Sequence, residues 1–149
     1  MRQSPSPWRG FSPRLQSQAH LLGKLRTDLA RLVSNPGDDY AAWDFFVTAE
    51  AMRDWERSRG RNPMGLDDPL LLRVSDVANH GKHYLTYDPR LVIVRDIETA
   101  GTFDPEAFDT EAFDTEMRLV IATDDEPGSE SAVDLARRAV DWWEAELRP

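Results

Sequence analysis

The chain of 149 residues contains no cysteine. A disulfide framework, a thiolate metal site and a cysteine nucleophile are therefore excluded. No apolar run approaches the ~18–20 residues that a membrane span needs. The opening Met1-Arg2-Gln3-Ser4-Pro5-Ser6-Pro7 lacks the apolar stretch of a signal peptide. These absences give the expectation of a cytoplasmic chain with no membrane partner. There is no Gly-rich phosphate loop, serine nucleophile elbow or paired-carboxylate motif. Only three histidines are present, so proton-transfer chemistry has few carriers.

What is abundant is charge and tryptophan. Charged residues make up 30% and hydrophobic residues 40%, a globular composition, and five Trp point to bulky cores or interfaces. The length suits one domain. The net charge of -9 is unevenly spread: residues 1–32 carry six basic residues and one acid, against 12 and 26 in the remainder. Protein-wide affinity for nucleic acid is disfavoured, because phosphate binding needs clustered Lys and Arg. A basic arm at the N-terminus stands apart from that balance.

Residues 1–13 hold three Pro, three Ser and one Gly and read as a flexible arm, with Trp8 and Phe11 as candidate partner-binding residues. Residues 14–149 read as a single domain. Leu15, Leu22, Leu25, Leu29 and Leu32 recur at helical spacing and predict a first helix over 14–34, stopped by Ser34-Asn35-Pro36-Gly37. A second helix over 39–59 follows, with an apolar stripe of Trp43, Phe46, Val47, Ala51 and Trp55. Within it Thr48, Glu50, Asp54 and Glu56 lie in an apolar setting; Asp54, beside Trp55, reads as a partly buried acid, or more commonly as an exposed one or a partner of Arg53 or Arg57. A third helix begins near Asp67, with Pro69 suited to its first position, and runs to about Tyr84. Leu91–Val94 and Leu119–Ile121 read as strands. Between them lies the duplicated Glu106-Ala107-Phe108-Asp109-Thr110 and Glu111-Ala112-Phe113-Asp114-Thr115, taken as a surface loop. Residues 124–129 read as a turn, and Ser131 with Asp134 as a cap. A last helix presents Val133, Ala136, Val140, Trp143 and Leu147. The expected fold is mainly α: a four-helix bundle with a two-stranded β-hairpin inserted at about 90–123, before the last helix.

One constellation could carry chemistry. On the third helix Arg73, Asp76, Asn79, His80 and His83 fall on the side opposite Val74, Val77 and Ala78, with Lys82 nearby. A histidine moves protons and a cation stabilises a developing phosphorane, which are the parts of metal-independent RNA cleavage. The plain alternative is a solvated amphipathic face. Asp76, His80 and His83 also have spacings compatible with a metal, but no second helix supplies a ligand. No cofactor is implied.

Two stretches resemble a family of uncharacterised bacterial and phage proteins. Phe45-Phe46-Val47-Thr48-Ala49-Glu50-Ala51-Met52-Arg53-Asp54-Trp55 is similar to the family's Val-Thr-Ala…Asp-Trp segment. Val74-Ser75-Asp76-Val77-Ala78-Asn79-His80-Gly81-Lys82-His83-Tyr84 is similar to its Asp-Ile-Ala-Asn-Gly-x-Lys-His-Phe. The resemblance covers about 38–149 and carries over no activity. His80 departs from it, standing where the family has Gly. A shorter resemblance is to HEPN domains, four-helix bundles that are often dimeric ribonucleases of toxin–antitoxin and phage-defence systems. Asn79 and His83 lie at the spacing of their Arg-polar…His signature, while Ala78 stands in place of the Arg; Arg73 or Lys82 would have to replace it. This resemblance implies an RNA-directed protein, active or degenerate, working as a homodimer. In it His83 would handle protons, with His80 a further candidate, and Asn79, Arg73 and Lys82 would position phosphate. The alternative expectation is a non-enzymatic phage accessory or virion protein that binds other proteins, with Trp8, Phe11 and the acidic Phe repeat as contact segments.

Overall fold

The computed structural model describes residues 10–58, 67–82, 94–100, 116–121 and 128–148. Among them lie four helices, α1 (Gln18–Ser34), α2 (Asp39–Ser58), α3 (Pro69–Lys82) and α4 (Ala132–Glu146), and three strands, β1 (Val94–Ala100), β2 (Glu116–Ile121) and β3 (Gly128–Ser131). The duplicated segment 106–115, Trp8 and His83 lie outside the described residues. Among the described residues no helix is long and apolar enough to cross a membrane.

Local chemistry accounts for the helix ends. Ser17 caps α1 by accepting from the His20 amide, and Asp38 Oδ1 accepts from the Tyr40 amide at the start of α2. Ser131 caps α4 by accepting from the Asp134 amide. Such caps satisfy amides that have no partner inside the helix. Helix α1 starts later than the leucine spacing suggests. Residues 10–15 instead close a turn, in which Phe11 N and Ser12 N donate to Leu15 O at 2.7 and 3.2 Å.

Side-chain partners fix the packing. Gln18 reaches Glu56, Thr48 reaches Asp28 and Arg31 reaches Asp44, so α1 and α2 run antiparallel. Arg53 meets Ser75, and Trp43 meets Gly81, so α3 runs back along α2. Leu25, Leu32, Phe45, Met52, Leu71, Leu135 and Trp143 fill the centre. The expected stripes of α1, α3 and α4 are buried at Leu22, Val74, Val77, Ala136 and Val140. The stripe of α2 is different. Phe45, Phe46, Ala49 and Met52 face the core, while Trp43 is about half exposed. Helix α2 is flanked by α1, α3 and α4, so its buried arc is wider than a one-sided stripe and is centred elsewhere.

The sheet has three strands, not two. It is antiparallel in the order β1-β2-β3, with Ile97 opposite Leu119 and Leu119 opposite Glu130. Residues 128–131, whose first two were expected in a turn, form β3 and lead straight into α4. Leu119 is buried against the helices, and the Met117 amide donates to Pro36 O at 3.1 Å, tying β2 to the α1–α2 turn. Helix α4 packs on both β2 and β3, and α3 on β1. The sheet therefore lies against the bundle instead of projecting from it.

Candidate functional site

Where α2, α3 and the sheet meet they leave an apolar groove of about 320 Å³. Ala42, Phe46 and Val47 of α2, Val77 and Ala78 of α3, and Ile97, Met117 and Leu119 of the sheet line it. Its mouth carries Asp39, Trp43 and His80. The volume lies at the lower end of the ~300–1,000 Å³ usual for binding sites, and an apolar lining with a few polar groups is their usual make-up.

Trp43 forms one wall. Its indole Nε1 donates to Gly81 O at 3.1 Å, which fixes the ring over the last turn of α3. The close approach requires glycine at 81: a Cβ there would stand 2.8 Å from Trp43 Cδ1. Tyr40, one helical turn earlier, is 81% exposed, and Trp43 is 49% exposed. Aromatic side chains left in water beside an apolar groove are what protein contact surfaces are enriched in.

The described α3 residues have different surroundings. Arg73 is half-buried and donates to Glu130 of β3 at 3.0 Å; Glu130 is held from its other side by Arg138 of α4. Arg73 thus joins α3 to the sheet. Ala78 is buried in the core. Asn79 is half-buried, His80 lines the groove and Lys82 is exposed. The side of α3 expected to face solvent is therefore half covered by the sheet. Among the described residues no three His, Asp or Glu side chains gather where a metal would bind.

Of the polar residues of α2 expected in an apolar setting, Thr48, Glu50 and Glu56 are buried. Arg53 is buried with them, and Asp54 takes the exposed one of its readings. Glu50 Oε1 accepts from Ser75 at 3.1 Å and lies 3.8 Å from Arg53. Burial raises the Glu50 carboxyl above its ordinary range; the Ser75 bond and the Arg53 charge oppose this, and the Asp54 charge adds to it. Gln18 bridges Met52 O and Glu56, both at 2.8 Å. Lys24 donates to both Asp28 and Thr48. These groups sit between helices and join them. The signal for Thr48, Glu50 and Glu56 is their place among the apolar residues of α2; Arg53, one position before Asp54, carries no such signal.

A second concavity, over the start of α4, is lined by Arg118, Arg137, Arg138, Glu130 and Asp134. Its carboxylates offset its cations, and Arg118 is bound to Glu116 and Ser129. Phe11 is 77% exposed on the turn before α1.

Comparison with protein-family models, with curated proteins and with solved structures gives no match for this chain.

Proposed function

We infer that this chain is a non-enzymatic accessory protein that acts by protein–protein contact, and that the apolar groove between α2, α3 and the sheet is its contact face. The observation that carries this reading is the groove itself, walled by the half-exposed Trp43 and flanked by the exposed Tyr40. Such a site takes an apolar or aromatic side chain as an anchor. Asp39 at the mouth favours a cationic flank around that anchor. The partner is therefore a basic segment that offers one bulky apolar residue.

The RNA-directed, HEPN-like reading has one observation in its favour: His80 lines a cleft, with the half-buried Asn79 next to it in sequence. Charge argues against it. Arg73 is bound to Glu130, Ala78 is buried, and the groove mouth carries a carboxylate where phosphate would need cations.

The test titrates fluorescent peptides, each with one Trp or Phe between arginines or between glutamates, onto the purified chain. A single-stranded RNA is titrated in parallel. The arginine-flanked peptides bind, the glutamate-flanked ones do not, and Asp39→Arg or Val47→Asp removes binding. RNA binding or cleavage that Asn79→Ala or His83→Ala abolishes, with no peptide bound, would sink the reading.

A further inference from the structure

We propose that the occupant of the groove is the N-terminal arm of a second copy of this chain, with Trp8 as the anchor. The proposal rests on the contact-face reading above and names its partner.

The arm has the chemistry that the groove selects. Residues 1–14 contain Arg2, Arg9 and Arg14 and no acid, and Trp8 stands directly beside Arg9. The remainder of the chain from residue 33 carries 12 basic and 26 acidic residues. Arm and body are thus of opposite charge, and the groove mouth carries Asp39. Opposite potentials steer association and set register.

The way the arm leaves the body is built. Gly10 has φ 77, a conformation that disfavours a side chain, and a Cβ there would stand 2.3 Å from Gln16 Cα. Phe11 N bonds to Leu15 O, and Ser12 and Leu15 pair across the turn. Gly10 is therefore held at a fixed point beside Gln16.

That point lies beside the start of α1, away from the side of α2 that the groove occupies. The start of α1 lies against the end of α2, where Gln18 bonds to Met52 O and Glu56. Trp43 is nine residues before Met52, about 14 Å along α2 at 1.5 Å per residue. Trp8 is two residues from Gly10, so its Cα lies at most about 7 Å from that of Gly10. The groove also opens towards α3 and the sheet, whereas α1 packs on another side of α2. A second copy meets no such limit. Two chains that exchange arms form a closed pair in which each groove is filled once.

The experiment is sedimentation equilibrium on the full chain, wild type beside Trp8→Ala and Asp39→Arg, with thermal denaturation as the folding control. A labelled peptide of residues 1–11 is also titrated onto the Trp8→Ala chain, whose grooves the substitution leaves free. Wild type forms a concentration-dependent dimer. Trp8→Ala weakens it about thirtyfold, as removal of a hot-spot aromatic does, with an unchanged melting temperature. Asp39→Arg weakens it as well. The peptide binds the Trp8→Ala chain and loses binding when Asp39→Arg is added. A wild type that stays monomeric, or a dimer that persists in Trp8→Ala, overturns the proposal. A 1–11 peptide that fails while other arginine-flanked aromatic peptides bind overturns this partner and leaves the contact-face reading standing. Failure of every peptide removes both.

Discussion

Replacing Gly81 by alanine should separate the groove from the stability of the fold. A Cβ at 81 would stand 2.8 Å from Cδ1 and 3.0 Å from Nε1 of Trp43. Carbon atoms do not approach so closely, and Trp43 is 49% exposed, so the indole has room to swing outward. Its hydrogen bond to Gly81 O is then lost. Losing that bond costs about 0.5–1.5 kcal/mol. Alanine in place of helical glycine returns about 0.5–1 kcal/mol, less so near a helix end. The two nearly cancel, so the melting temperature should move by no more than about 3 °C. Binding at the groove should weaken about tenfold, because an interfacial aromatic wall is displaced. The assay pairs thermal denaturation with the indole N–H resonance of Trp43, assigned by its disappearance in Trp43→Phe. In Gly81→Ala that resonance shifts and exchanges faster with solvent. An unchanged, protected resonance would refute the geometry. A fall of ten degrees or more would show that Gly81 serves the core.

Glu50 gives a pH prediction. Its carboxyl is raised from 4.5 by burial, so the folded chain holds this proton more tightly than the unfolded chain. Its contribution is fully present below the unfolded value and is lost as pH rises through the raised folded value. Glu50→Gln should therefore flatten the fall in stability just above pH 4.5; urea denaturation across pH 4–7 that gives parallel wild-type and variant curves would contradict this. Trp143 is fully buried, and its Nε1 has no partner among the described residues. Trp143→Phe removes an unsatisfied donor worth about 1–3 kcal/mol, which offsets most of the lost packing. Trp143→Ala should cost about 3–5 kcal/mol, and equal losses for the two in guanidinium would argue that the indole N–H is bonded. Arg73→Ala should lower stability by about 0.5–1 kcal/mol through the loss of its Glu130 pair. It should leave RNA binding at the wild-type level; RNA binding lost without a stability change would return Arg73 to a phosphate role.

The elements that sequence reading found were those whose signal is local. The leucine spacing of α1, the Ser131 cap and the Val133–Trp143 stripe of α4 each depend on contacts within one element, or on one face against one core. The start of α1 was placed too early because Leu15 keeps the period while its backbone closes a turn onto Phe11. β3 was missed because Gly128, Ser129, Glu130 and Ser131 have no strand-forming side chains; their pairing with β2 supplies what their composition does not.

For the candidate site the division is sharper. The polar set on α3 was visible as a pattern, but a helical wheel does not say which neighbour covers which face. The sheet folds back onto α3, so Arg73 becomes a tie to Glu130 and His80 a lining residue of an apolar groove. Trp43 was placed in the core by its period, yet the core is centred on Phe45, Phe46, Ala49 and Met52. The sequence by itself determined the four helices, the Ser131 cap of α4, the absence of thiol chemistry and the opposed charges of residues 1–32 and the remainder, because these depend on residue type and spacing. Only the tertiary structure decided the groove, the exposure of Tyr40 and Trp43 and the burial of Arg53, because each is set by residues far apart in the chain that packing brings together.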